Sequence, residues 1–596
     1  MVGDQQLRVR GLLIGLLLVP IAIALVGADT DAAAQVAGPP NIVVVMTDDQ
    51  TAESIKAMDQ TRALLGGDQG ASFTNGYVNL PLCCPSRATF LTGLYAHNHD
   101  VTTNEFPNGG FYKFDPEYGD TNLATALEGA GYHTALVGKY MNQYGELEAD
   151  PAQVPNGWSE WYATLEPNPD AYDYELNENG TTVSYGSAAA DHKSDVLTEK
   201  ALDVIAAQAT APNPFFLWLS YTAPHGGGPD PSPLPPTDCD PGPQPAPRHA
   251  TAFDTEPLPR PPNFNEADVT DKPPSISTSP LLNAAEIATL RNRYRCSLES
   301  LLSVDEGVAE VVTALSASGE LDNTLVVFTS DNGFFNGEHR DAQGKGKHYE
   351  PSTRVPLLIR GPGVPAGAVE DELVVNADLA PTILDAAGVA APVEPDGLSL
   401  LSLSTDATWQ RQDLLLENRT YAAVRNERYV YVEHTGGEDD GAIELYDLAV
   451  DPYELDNRHG RSDYAGVEAQ LADRLVELRA CAGATCSASP AGPGPGPEDP
   501  PGGGGGTDLD PPETTITKAP AKRASKRKVK FKFSADEAGS TFECKLDKKR
   551  AFRPCDSDGS EKLRVGKGRH TFRVVATDLA GNPDPSADRH RFRVVR

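Results

Sequence analysis

The sequence predicts an α/β domain built on a central, mostly parallel sheet, followed by a smaller C-terminal subdomain and a terminal β-sandwich. Three observations carry that expectation. Asn41 to Met46 and Thr324 to Ser330 are continuous apolar, β-branched runs, the pattern of strands covered on both faces. Helix-like segments lie between them, among them Ser194 to Gln208 and Leu282 to Ser316, as parallel strands require of their connections. Each run stops abruptly at Thr47-Asp48-Asp49-Gln50 or Asp331-Asn332-Gly333. An open α/β sheet builds its site beyond the carboxyl ends of its strands.

Taken in chain order, the first segment is a leader. Arg8 and Arg10 precede the apolar run 11–28, and small residues follow at Val26-Gly27-Ala28. This is the layout of a secretory signal peptide over 1–34, with an uncleaved membrane anchor as the alternative. The catalytic domain is placed at 39–400. Within it, the stretch 226–280 is rich in Gly and Pro and reads as a rim that shapes substrate access. Strand-like runs at Tyr421 to Val424 and Tyr429 to Glu433 assign 401–486 to the C-terminal subdomain. Residues 487–511 hold Gly492-Pro493-Gly494-Pro495 and Gly502 to Gly506, a composition that cannot form a core. Short alternating strands at 529–533, 540–545, 570–575 and 590–595 then predict an immunoglobulin-like β-sandwich over 512–596.

A chain of 596 residues is too long for one core. Its net charge of −35 is uneven: residues 511–596 carry 22 Lys and Arg against 11 Asp and Glu, a net +11, leaving −46 on the rest. An acidic body repels anions at long range, so a site for an anionic group must be locally basic. Eight cysteines suit an exported protein. Cys239 with Cys296, Cys481 with Cys486 and Cys544 with Cys555 can pair, leaving Cys83 and Cys84 over, but sequence alone does not fix that connectivity.

Cys83-Cys84-Pro85-Ser86-Arg87 resembles the C-x-P-x-R signature of type I sulfatases. Other stretches join it: Tyr95-Ala96-His97-Asn98-His99, Gly138-Lys139-Tyr140-Met141-Asn142, Gly157-Trp158, Ala223-Pro224-His225, Leu301-Leu302-Ser303-Val304-Asp305 and Thr329-Ser330-Asp331-Asn332-Gly333. Together they are most similar to N-acetylglucosamine-6-sulfatases and extracellular heparan 6-O-endosulfatases, over roughly Asn41 to Asn457. The resemblance implies an alkaline phosphatase-like sulfatase fold. It also implies a calcium-dependent enzyme that cleaves sulfate esters, such as those of sulfated sugars. Cys83 would be oxidised to formylglycine by a separate formylglycine-generating enzyme. One hydroxyl of the hydrated aldehyde attacks sulfur; deprotonation of the other releases sulfate.

Asp48, Asp49, Asp331 and Asn332 offer only oxygen ligands, which favours calcium or magnesium over zinc; with the oxygen made from Cys83 they form the expected metal set. By resemblance, Arg87 holds the nucleophile and balances the carboxylates, Lys139 and Lys345 grip sulfate oxygens, and His225 helps protonate the leaving alcohol. Lys347 competes with Lys345; the family spacing, five positions before Glu350, selects Lys345. Pro85 suits a helix start whose positive end faces the anionic site. Many sulfatases carry a histidine where this chain has Met141, so the group that takes the hemiacetal proton is open, with His97 and His99 as candidates.

Two competing readings remain. One is a phosphonate or phosphodiester hydrolase of the alkaline phosphatase superfamily. The other is a non-catalytic surface protein that binds polyanions or cell surfaces through the basic tail, at Lys522-Arg523, Lys526-Arg527-Lys528 and Lys548-Lys549-Arg550. No nucleic-acid partner is expected.

Overall fold

The computed structural model describes residues 38–146, 153–166, 170–226, 239, 242–342, 344–403 and 411–488. It also describes 514–595 except for 521, 525, 536–540, 548–552, 556–559 and 578–587. The expected signal peptide, nearly all of the linker and the Lys548-Lys549-Arg550 cluster lie outside the described residues, as does 578–582, where the sequence Asp578-Leu579-Ala580-Gly581-Asn582 predicts a turn.

The two sequence runs form adjacent central strands, β1 (Asn41–Thr47) and β8 (Thr324–Ser330). The other strands of the main sheet are β2 (Ala71–Phe73), β3 (His133–Gly138), β4 (Glu160–Thr164), β5 (Glu175–Glu178), β6 (Thr181–Ser184), β7 (Phe215–Ser220), β9 (Leu357–Arg360) and β10 (Val369–Glu370). Their order is β10-β2-β9-β8-β1-β7-β3-β4-β5-β6. Strands β8-β1-β7-β3-β4 are parallel. Strands β9, β5 and β6 run antiparallel to their neighbours. The mostly parallel sheet is thus a parallel core with antiparallel edges.

Alternation along β1 divides the core. Val43 and Val45 pack with β7, β8 and two helices, α2 (Lys193–Gln208) and α3 (Ala284–Ser318). Ile42, Val44 and Met46 face the opposite layer, which holds α1 (Cys83–Thr92). Both faces are therefore apolar, which is why these strands read as unbroken hydrophobic runs. Helix α3 is 35 residues long and opens on a capping box between Asn283 and Glu286. Disulfide Cys239–Cys296 ties the 226–280 stretch to it.

Helix α1 starts at Cys83, with Leu82 as N-cap, two residues before the expected start at Pro85. Proline is tolerated at this third position because the first N–H groups of a helix have no intrahelical partner.

The C-terminal subdomain is an antiparallel sheet, β11 (Asp413–Glu417), β12 (Tyr421–Asn426), β13 (Tyr429–His434) and β14 (Ile443–Asp447), packed on α4 (Ala465–Arg479). A forked Arg474–Asp413 pair fastens the helix to the sheet. Disulfide Cys481–Cys486 closes its C-terminal end. Beyond it, strands Thr514–Lys518, Lys528–Ala535 and Ser560–Arg564 form one small sheet and five further strands a second. The core there contains Phe531, Phe572 and Phe592, and disulfide Cys544–Cys555 lies beside it.

Candidate active site

Register places the site. Thr47 pairs with Ser330, Met46 with Ser220, and Gly138 with Ser220. The carboxyl ends of β3, β7, β1 and β8 are therefore level. The chain leaves them as Lys139, Thr222 to His225, Asp48-Asp49 and Asp331-Asn332. Four strand ends thus deliver the charged groups to one spot. Gly138 is required there: its φ is +112°, and a Cβ would lie 1.9 Å from the Ser220 carbonyl oxygen.

Helix α1 enters from the other side. All ten of its residues are buried, and it carries Cys83 and Arg87. The Cys83 Sγ lies 3.3 Å from Asp48 Oδ1. Lys345 donates to Cys83 Sγ at 2.8 Å and pairs with Asp49. Lys139 pairs with Asp48 at 2.5 Å. Arg87, wholly buried, donates from Nε to Asp331 Oδ2 at 2.8 Å and approaches Asp48 at 3.7 Å. Its Nη1 donates to the Lys139 carbonyl at 2.8 Å and to Ser220 Oγ at 2.7 Å. His225 Nε2 stands 3.8 Å from Asp49 Oδ2. Asn332 Nδ2 donates to Asp49 Oδ1 at 2.7 Å.

The electrostatics follow from burial. Burial pushes Asp48 up, but Lys139, His225, Lys345 and Arg87 together outweigh it and hold its carboxyl well below the usual range. Asp49 is likewise lowered: burial raises it, and Lys345 and His225 prevail. Asp331 goes the other way, to about 6, because burial and then Asp48 outweigh Arg87. Burial, with Asp48 adding to it, pushes the Cys83 thiol up to about 12. A thiol so protonated is a poor nucleophile. Burial lowers His225, and Asp48 and Asp49 beside it pull the other way, toward the protonated imidazole.

Asn332 Oδ1 is a buried acceptor with no hydrogen-bond partner. Three carboxylates converge beside it, and Asp48, Asp49, Cys83 and His225 have ligand atoms within 4.8 Å of one another. An oxygen-rich set with an orphaned amide oxygen fits a hard cation such as calcium.

Every expected site residue therefore lies in one cluster: Asp48, Asp49, Cys83, Arg87, Lys139, His225, Asp331, Asn332 and Lys345. Lys347 pairs instead with Asp341, so of the two lysines it is Lys345 that stands beside Cys83. The loop after Lys345 rests on a buried network in which His434 bonds Glu444 Oε1 at 2.7 Å and Tyr349 donates to Glu444 Oε2 at 2.6 Å. Asn418 also holds the Gly346 carbonyl at 2.8 Å.

The two histidine candidates are otherwise engaged. His97 bonds Glu417 and the Cys481 carbonyl; His99 bonds Thr89 and the Val101 amide. Met141 packs its sulfur 3.7 Å from Cys84 Sγ, so both side chains fill core beneath the site. Two cations, buried Lys193 and half-buried Arg293, were not legible in sequence. Arg293 stacks 4.0 Å over Phe334 and senses Asp49. Burial drives Lys193 down to about 7, and it shares a small cavity with His225. Neither sits in a motif, so only packing reveals them.

Comparisons with known proteins agree with this geometry. A family profile described as Sulfatase matches residues 40–389. A second, described as N-sulphoglucosamine sulphohydrolase, C-terminal, matches 337–481. The N-acetylglucosamine-6-sulfatase of Capra hircus is 34% identical, covering 75% of this chain and 84% of that protein. An extracellular sulfatase Sulf-1 homolog of Caenorhabditis elegans is 37% identical over 61% of this chain, which spans about half (49%) of that relative. A structure solved in complex with its substrate D-glucosamine-2-N,6-O-disulfate superposes with a TM-score of 0.60 at 25% identity, covering 74% of this chain and 98% of that one.

Replacing Arg87 tests the charge balance. Arg87→Met leaves Asp48 and Asp331 without their shared cation and should cost about 3–5 kcal/mol of stability. Arg87→Lys should cost less, since an ammonium keeps the charge but loses the fork. Chemical denaturation followed by tryptophan fluorescence measures both; unchanged midpoints would contradict the balance described.

Proposed function

The chain belongs to the sulfatase family, and we propose that it hydrolyses sulfate esters of a sugar through a formylglycine made from Cys83, with calcium in the carboxylate cluster. The observation that carries this reading is the meeting of Cys83 with Asp48, Lys139 and Lys345 at the ends of the parallel strands.

A hydrated formylglycine supplies an oxygen nucleophile and a second hydroxyl whose deprotonation lets sulfate leave, and a calcium ion supplies charge stabilisation at the same point. Asp48, Asp49, Asp331 and Asn332 are the residues that would hold the cation. The rest of the work belongs to the chain's own side chains. Lys139 and Lys345 present two ammonium groups beside Cys83, a cationic grip for sulfate oxygens within an otherwise acidic body. Arg87, forked between helix α1 and strand ends, keeps the buried carboxylates ionised and fixes the helix that carries position 83. His225, at the cluster's edge with its side chain about one quarter exposed, is placed to hand a proton to the departing alcohol. His97 and His99 are held by other partners, so the group that takes the remaining proton stays open.

The goat relative's name and the disulfated glucosamine bound to the structural neighbour support a 6-sulfated glucosamine unit as substrate. Three disulfides support an oxidising, extracytoplasmic compartment, consistent with the signal-like leader. Among the described residues no helix is long and apolar enough to cross a membrane. A maturation enzyme that oxidises Cys83 is the partner this chemistry requires.

Turnover of glucosamine 6-sulfate should exceed that of matched phosphodiester and phosphonate esters by at least about tenfold in kcat/KM. Calcium chelation should abolish it and added calcium restore it. A phosphonate preference, or turnover indifferent to chelation, would contradict the reading.

A further inference from the structure

The first of the two terminal sheets carries an unusual surface. Strand 528–535 alternates strictly: Val529, Phe531 and Phe533 are buried, while Lys528, Lys530 and Lys532 are exposed. Its neighbours place a further cation directly opposite each one. Lys528 faces Arg564 and Lys530 faces Lys562 on one side; Lys532 faces Lys518 on the other. All six are exposed. The one carboxylate in the three strands, Glu561, pairs with Phe531 and is buried.

Like charges directly opposite each other destabilise a sheet. A solvated spacer would intersperse acidic residues, and this face has none. Neighbouring strands lie about 4.8 Å apart and same-face residues roughly 6.7 Å apart, so the cations form a compact plate rather than scattered charges. Its occupant must be densely anionic. The rest of the chain carries −46, which excludes such a polymer at long range.

We propose that this six-cation plate binds a linear sulfated polysaccharide and holds it near the catalytic domain. The assignment of a sulfated polymer, rather than another polyanion, rests on the proposed sulfatase activity. Anchoring on the same polymer raises the local substrate concentration, with the Gly/Pro-rich linker sequence as tether. The plate offsets the repulsion from the acidic body without taking part in the chemistry.

The test uses the full chain and the triple variant Lys528→Gln, Lys530→Gln, Lys532→Gln, with heparin as probe. The parent should elute from heparin at clearly higher salt. The variant should lose at least about tenfold in kcat/KM on a polymeric sulfated substrate while keeping its turnover of a small sulfate ester. The charge-keeping variant Lys528→Arg, Lys530→Arg, Lys532→Arg should elute no earlier than the parent, which separates loss of charge from loss of the sheet's fold. Unchanged heparin elution overturns the proposal, as does equal competition by DNA of matched charge. Heparin binding measured on Cys83→Ala is independent of catalysis, so failure of the plate and failure of the sulfatase reading are told apart.

A second cluster stands on different observations. His348, His434 and Glu444 place ligand atoms within 4.8 Å of one another, all buried. His434 Nε2 lies 2.7 Å and His348 Nε2 3.4 Å from Glu444 Oε1. His348 is 3% exposed and its Nε2 has no hydrogen-bond partner. Two tyrosine hydroxyls, of Tyr349 and Tyr446, donate to the other oxygen of Glu444, the support a ligating carboxylate normally has. The cluster borders a cavity of about 280 Å³, room for a water at a fourth position.

We infer that these residues form a zinc site that clips the Lys345 loop to the C-terminal sheet; two imidazoles and one carboxylate suit zinc. With calcium in excess to fill the oxygen cluster, the chelator-stripped chain should bind one equivalent of zinc. His348→Gln and His434→Gln should each lose it while keeping their calcium-dependent melting. No zinc bound by the parent, or full binding by either variant, overturns the inference.

Discussion

Three carboxylates, Asp48, Asp49 and Asp331, are buried at the ends of two adjacent strands, and the rest of the site answers to that charge. Register forces the juxtaposition, since Thr47 is level with Ser330. Burying ionised groups is costly unless they are paired. Arg87, Lys139 and Lys345 supply the pairing from three separate segments, and each brings an element with it: helix α1, the turn after β3, and the loop before Tyr349. Asp331 is still pushed up to about 6, by burial first and then by Asp48. The divalent cation proposed for the cluster would add to that pairing.

Much of this was legible in the sequence. Strands β1 and β8 could be read because both their faces are buried, leaving no polar interruption until the functional residues begin. The signature around Cys83, the Lys139 turn and His225 lie next to strand ends or helix starts, where local pattern and position agree. The antiparallel edges were not legible, because short strands such as Ala71–Phe73 carry no periodicity long enough to read. Helix α1 begins at Cys83 rather than Pro85, since orphan N–H groups extend over a whole first turn. Arg293 and Lys193 sit in ordinary helical sequence; their place beside the site depends on how α2 and α3 cross the sheet. Met141, which looked like a missing catalytic group, is a packing residue against Cys84.

The C-terminal subdomain takes part in building the site. Glu444 on β14 and His434 on β13 support the segment that follows Lys345, and Asn418 holds the Gly346 carbonyl. Glu417 and the Cys481 carbonyl likewise bind His97 just beyond helix α1. Lys345's loop and the segment after the helix carrying Cys83 are both braced against this second sheet. The basic terminal sheet has a different part, offering attraction to an anionic polymer that the acidic body lacks.

The central claim is that position 83 acts as a formylglycine rather than a thiol. The most direct measurement is the mass of the peptide containing Cys83 from protein secreted by its own host. The account predicts a residue lighter by the difference between CH2SH and CHO, with Cys84 unchanged. An unmodified Cys83, in a host that converts other such motifs, would contradict it, because a buried thiol held protonated has no route to release sulfate.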